Sequence, residues 1–314
     1  MRKLFPEDPI FEIGHFGFDD CDAEDRPLDV LGRKPLGQNL TDLVDRFDQP
    51  LVIALDGGWG SGKSHFLKLW AGAHKKELGG KAEVIYFDAF EHDFLDDPLV
   101  SLVSHLLSQT STKTQPKEVM DKVKRAALPL VRGLLRTGVA VASAGLSEIA
   151  GPAIDALVEK VGKATEEQIN DFWQQETGRI AAMQEFRNSL IALTKTQGGE
   201  LRKIVFIVDE LDRCRPDYAL SLLETIKHFF AVPNVHFVLG VNLHELQNSV
   251  RARYGQAIGA EKYVQKFISL TMRFPRGLLS NSDRHVALDY FTKVSGRYAQ
   301  KLVTALIRRR FEVA

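Results

Sequence analysis

The stretch LDGGWGSGKSHFLKLW, Leu55 to Trp70, places Gly57, Gly58, Gly60 and Gly62 directly after an apolar run, then opens a helical pattern with Lys63 and Ser64. Gly57, Gly62, Lys63 and Ser64 fit the spacing G-x-x-x-x-G-K-[ST]. Each residue type there has a physical reason. Glycine accepts positive φ and lets backbone N–H groups approach phosphate oxygens. A helix N-terminus leaves N–H groups unpaired, and its dipole favours anions. The Lys63 ammonium can reach terminal phosphates. The Ser64 hydroxyl suits Mg2+, a hard cation whose other ligands are mostly water and phosphate oxygen. The plain alternative is a glycine turn between strand and helix. The strand before the loop and the helix after it favour phosphate binding. The candidate nucleotide-contacting residues are Gly57, Gly58, Trp59, Gly60, Ser61, Gly62, Lys63, Ser64 and His65. For His65, as for His92, packing or surface exposure is the competing role.

The chain has 314 residues, with 41 Lys plus Arg against 41 Asp plus Glu. The balanced charge gives no global attraction to nucleic acid. Length allows one large or two modest domains with a sizeable core. Cys21 and Cys214 provide neither a disulfide framework nor zinc spacing, so a reducing, cytoplasmic setting is expected. The start, MRKLFPEDPIFEIGHF, lacks the apolar stretch of a secretory signal, and none is expected.

Residues 1–35 are acidic and broken by Pro and Gly, and read as an N-terminal arm. LGQNLTDLVDRF from Leu36 has helical spacing. LVIALD (51–56), AEVIYFDAF (82–90), KIVFIVDELD (203–212), VHFVLGVN (235–242) and KFISLTMRFP (266–275) read as strands. DDPLVSLVSHLLSQ (96–109) and PDYALSLLETIKHFF (216–230) read as helices, the second with Ala219, Leu222, Leu223, Ile226 and Phe230 on one face. Alternating strands and helices predict an α/β fold with a parallel sheet. The core is assigned to 36–110 and 200–275, a helical insertion to 110–200, and a short C-terminal helical segment, too small for a full helical lid, to 276–314.

A second constellation supports the loop. IVFIVDELDR puts Asp209 at the carboxyl end of an apolar strand, where open α/β sheets bind ligands. Asp209 can hold the Mg2+ hydration shell, and Glu210 can take a proton from an attacking water. Alternatively, Asp209 caps the next element and Glu210 is solvated. Asp212 either orients water or pairs with Arg213 or Arg215. Asn242, ending the fourth strand, positions water or contacts the terminal phosphate, or else simply forms a turn. Arg251 and Arg253 are weaker candidates for a transition-state cation, with Arg273 and Arg276 weaker still.

Four stretches together resemble the KAP-type P-loop ATPases: DVLGRKPLGQNLTDLV, IALDGGWGSGKSHFL, YFDAFEHDFLDDPLVSLVSHL and IVFIVDELDRCRPDYALSLLETIKHFFAVPNVHFVLGVN. The resemblance implies a three-layer P-loop NTPase core with strand order 5-1-4-3-2, of the additional-strand, catalytic-glutamate division near the AAA+ and STAND groups. It implies ATP and Mg2+ at Gly57–Ser64 and Asp209, and places Leu31–Arg33 near the adenine. It also implies a setting in bacterial defence, phage exclusion or signalling. This chain has Asp-Glu-Leu-Asp where such proteins often show Asp-Asp-Leu-Asp, and Asn242 where they often carry an acid.

Many such proteins carry membrane spans between the two nucleotide motifs. Here the candidate is 126–162, but its charge-free run, Thr137–Ser147, falls well short of the roughly 20 apolar residues a span needs. A helical insertion that packs on itself, on a second copy or on a protein partner is the leading reading. A helix on the inner-membrane surface and a true span are the alternatives. The segment 166–196 reads as a long helix with Ile169, Phe172, Trp173, Ile180, Met183, Phe186 and Leu190 as its apolar positions. The functional reading is an ATP-hydrolysing switch. A non-hydrolysing nucleotide-gated scaffold or membrane-associated adaptor, and a small-molecule kinase, are the alternatives.

Overall fold

The computed structural model describes residues 14–22, 25, 27–29, 31–94, 97–109, 117–127, 176–195 and 201–275. Chain order is α1 (Lys34–Arg46), β1 (Val52–Asp56), α2 (Lys63–Lys76), β2 (Glu83–Asp88), α3 (Pro98–Gln109), α4 (Lys117–Ala127) and α5 (Glu176–Leu193). It continues with β3 (Ile204–Asp209), α6 (Pro216–Phe229), β4 (Val235–Val241), α7 (Leu243–Tyr254), α8 (Ala260–Gln265) and β5 (Leu270–Arg273). Short 3-10 turns follow β2 at Phe90–His92 and β3 at Leu211–Arg213.

The five strands form one parallel sheet in the order β2-β3-β4-β1-β5, the predicted order read from the other edge. The apolar runs explain its layering. Successive strand side chains point to opposite faces. Ile204, Phe206 and Val208 pack with α3 to α8, while Val205 and Ile207 pack with α1 and α2. Every residue of β3 and β4 is buried, because both strands are central and covered on both faces.

Helix starts follow local chemistry. Asp97 Oδ1 accepts from Leu99 N at 2.9 Å at the head of α3, and Pro216 opens α6. Before α1, Asp29 accepts from Arg33 N and Lys34 N, each at 2.8 Å. That helix begins at Lys34. Phe18 and Leu28 are buried against α1 and α2, and Phe18 N donates to Glu77 Oε2 at 3.0 Å.

The described ends of the 110–200 region also join the core. Val123 and Ala126 of α4 and Phe186, Leu190 and Leu193 of α5 are buried under the sheet. The candidate stretch 126–162 lies outside the described residues from 128 onward, as do Ile169, Phe172, Trp173 and the whole of 276–314. Among the described residues, no helix is long and apolar enough to cross a membrane.

Two consequences of this core are measurable. Phe206 stacks on Phe237 at 4.9 Å between ring centroids, and Phe230 meets both edge-on at 5.5 and 5.7 Å. Phe206→Ala should therefore cost about 3–5 kcal/mol in urea unfolding, whereas Phe94→Ala, at an exposed ring, should change stability by less than about 0.5 kcal/mol. Burial also pushes His74, His105 and His236 down from 6.5 to about 4. The unfolded chain takes up these protons at higher pH than the folded one. Stability should be fully present above 6.5 and fall as pH drops toward 4, read as a falling urea midpoint.

Candidate functional site

The site forms where the sheet's register lines up the strand ends. Asp88 lies beside Asp209, Asp209 beside Gly240, and Gly240 beside Leu55. β1 ends at Asp56, and the chain enters the glycine loop, with Gly57 N donating to Val241 O at 3.1 Å. Gly60 and Gly62 adopt φ of 73° and 84°, conformations that disfavour any side chain. Gly62 is the residue before α2, and no side chain caps that helix, so its first N–H groups face the loop.

Lys63 is 8% exposed, and its Nζ turns back to donate to Gly57 O at 2.6 Å and Gly58 O at 3.1 Å. Burial pulls its ammonium below the usual range, opposed by the charges of Asp212, Asp209 and Asp56. Asp209 is 1% exposed. Tyr86 Oη donates to its Oδ2 at 2.8 Å and Glu210 N donates to its Oδ1 at 3.0 Å, with the nearby Ser64 hydroxyl also favouring the charged form. Burial pushes the Asp209 carboxyl up, and these hydrogen bonds work against that rise.

Glu210 sits in the left-handed region at φ 58°, a strained place for a glutamate. Its Oε2 accepts from Arg213 Nη1 at 3.1 Å, and the same nitrogen lies 3.0 Å from Oε1 in an ion pair. Burial raises its pKa, and the Arg213 charge counters the effect. A cavity of about 210 Å³ is lined by Trp59 to Ser64, Asp209, Glu210, Asp212, Arg213 and Gly240.

The remaining candidate residues find these partners. Asp212 pairs with neither arginine; its Oδ2 accepts from Trp59 Nε1 at 2.6 Å. Arg213 is engaged by Glu210, and Arg215 by Asp93, with Nε donating to the Asp93 carbonyl at 2.9 Å. Asn242 is the N-cap of α7, its Oδ1 accepting from His244 N at 3.2 Å, and it does not line the cavity. The turn-forming alternative accounts for that bond. His65 points its Nε2 toward Leu28 O at 3.1 Å, into the arm and away from the cavity. Arg251 bonds Asn248 and Arg253 pairs with Asp217, both outside the cavity lining.

Three contacts were not foreseen, although Arg33 stood in the Leu31–Arg33 stretch expected near the adenine. Tyr86 holds Asp209, and a buried tyrosine hydroxyl in an otherwise apolar strand is the kind of group that needs such a partner. Arg33 Nη1 donates to Ser61 O at 3.0 Å while its guanidinium lies 4.2 Å over the Phe274 ring, bracing the loop from behind. Gly240 is the third, and a glycine inside a strand pattern is a signal of close approach.

The residues fit a magnesium-bound polyphosphate. Among the described residues, no group of three or more His, Cys, Asp or Glu could hold a metal alone. The buried Asp209 carboxylate and Ser64 hydroxyl are hard oxygen donors suited to a cation that keeps water and phosphate ligands. The buried Lys63 ammonium is the matching charge for the phosphates.

A Cβ at Gly240 would fall 2.5 Å from Asp209 Oδ1 and 2.5 Å from Leu67 Cδ1. Gly240→Ala should thus cost about 1–3 kcal/mol in urea unfolding. It should also weaken magnesium-dependent nucleotide binding in calorimetry, because Asp209 must move.

The family model described as the KAP family P-loop domain matches residues 33–310. An uncharacterized protein of Methanocaldococcus jannaschii is 27% identical over 165 residues, covering 46% of this chain and 83% of that protein. A solved structure, the Aeropyrum pernix ORC2 protein in ADPNP–ADP complexes, matches over 82% of this chain at 15% identity and a TM-score of 0.38. This chain spans about half (51%) of that one. With the match running from the head of the first helix through the phosphate loop and well past the last strand, the chain belongs to the KAP family of P-loop NTPases.

Proposed function

We propose that this chain binds ATP with Mg2+ at Gly57–Ser64 and Asp209, hydrolyses it, and uses the cycle as a conformational or assembly switch. The observation that carries the reading is the placement of Asp209. It lies 1% exposed at the end of β3, beside Ser64 of the glycine loop and adjacent in sequence to Glu210, with all three lining one cavity.

In this reading the loop amides hold the phosphates, and Lys63 leaves the Gly57 and Gly58 carbonyls for phosphate oxygens. Ser64 and Asp209 hold the metal, which supplies charge neutralisation when bound. Glu210 takes the proton of the attacking water. Asp212, through Trp59, holds the loop next to Glu210 and does not touch the water. Asn242 caps α7 at the end of β4.

Resemblance to KAP-type ATPases supports a role in bacterial defence, such as phage exclusion, or in signalling. Residues 110–200 are proposed as the contact region for a second copy or a protein partner, with attachment to the inner-membrane surface as the alternative. Assignment of the core to 36–110 and 200–275 is part of the same proposal.

A second reading, a nucleotide-gated scaffold without hydrolysis, is favoured by one observation: Arg213 holds the Glu210 carboxylate in an ion pair and hydrogen bond. Calorimetry and turnover separate the readings. Lys63→Ala should weaken magnesium-linked ATP binding by roughly 10- to 100-fold. Glu210→Gln should keep ATP and lower turnover by about 10²- to 10⁴-fold. Absence of turnover in the wild-type chain, with ATP binding intact, would favour the scaffold.

A further inference from the structure

Arg213 is one of two cations lining the cavity, and it differs from Lys63 in every physical respect. Lys63 is buried and tied to backbone carbonyls of its own loop. The Arg213 side chain is 46% exposed, at the mouth of the cavity, against 20% for its partner Glu210.

The surroundings limit what Arg213 can bind. Asp212 is engaged by the Trp59 indole, and Asp93 by Arg215. The backbone of the turn is also tied, with Arg213 N donating to Glu210 O at 3.1 Å and Cys214 N to Leu211 O at 3.3 Å. A change of partner by Arg213 is therefore a side-chain rotation on a fixed turn.

The pairing has a cost for the proposed chemistry. A carboxylate held in an ion pair by a guanidinium, with one oxygen accepting its hydrogen bond, is poorly placed to accept a proton from water. A terminal phosphate carries more charge than a carboxylate and offers the planar fork several oxygens, the geometry guanidinium recognises best.

We propose that Arg213 is a two-position positioning residue: it holds Glu210 in the nucleotide-free chain and turns onto the terminal phosphate of a bound nucleoside triphosphate, releasing Glu210. This rests on the ATP-binding reading above. It gives the site discrimination between triphosphate and diphosphate from within a single chain, because a diphosphate lacks the group that draws Arg213 away.

The test is calorimetry with Mg2+, using ADP and the non-hydrolysable β,γ-imido analogue of ATP as probes. Arg213→Ala should weaken the analogue by about tenfold and leave ADP unchanged. Glu210→Gln, which removes the competing charge, should tighten the analogue several-fold and leave ADP unchanged. The Glu210→Gln/Arg213→Ala double variant should lose that gain, and Arg213→Lys should recover part of it. A ratio of analogue to ADP affinity that is the same in wild type and Arg213→Ala would overturn the proposal, as would equal weakening of both ligands. If the wild-type chain binds neither probe, the ATP-binding reading itself fails, a result distinct from any effect of Arg213. Unchanged thermal unfolding of each variant verifies that the comparison concerns the site and not the fold.

Discussion

An ionisable carboxylate cannot be buried at the end of a central strand without partners, because desolvation favours its neutral form. Asp209 meets that constraint with the Tyr86 hydroxyl from β2 and the amide of Glu210. Each of these bonds ties a different element to the end of β3. Gly240, one strand over, leaves the room the carboxylate occupies. The site is thus a packing solution for one charged group, and the sheet, the glycine loop and the turn after β3 are held in register by it.

The cations follow the same logic. Lys63 is buried where three carboxylates surround it, and it satisfies its ammonium on loop carbonyls. Removing those bonds without supplying phosphate oxygens would leave a buried charge unpaired. The loop is therefore built for an anion, and Arg33 stiffens it by joining Ser61 to the Phe274 ring beyond β5. Trp59 carries the loop's conformation to the turn holding Glu210 and Arg213, through its bond to Asp212.

The segments flanking the nucleotide core are fastened to it in the same manner as its own helices. Phe18 and Leu28 of the arm pack against α1 and α2, and His65 reaches back to the Leu28 carbonyl. On the opposite face, Phe186 of α5 meets the edge of Phe230, extending the aromatic stack of Phe206 and Phe237. Movement of α5 would be felt at β3 through those rings, since closely packed interiors transmit strain.

Local sequence determined much of this. The apolar runs of β3 and β4 announce buried parallel strands, the glycines and Lys63-Ser64 announce a phosphate loop, and Asp209-Glu210 mark a strand end with chemistry. These are short-range signals, set by side-chain period, glycine's conformational freedom and helix-terminal polarity. Tertiary structure decided the rest. The Trp59–Asp212 bond spans 153 residues of sequence and the Tyr86–Asp209 bond 123, and both depend on strand order and register. The same dependence sent His65 into the arm, whereas the Asn242 cap on His244 and the Arg213–Glu210 pair are contacts between near neighbours in sequence. Residue types reveal what a group can bond, but which partner it finds depends on the strand it lies beside, and no local pattern carries that.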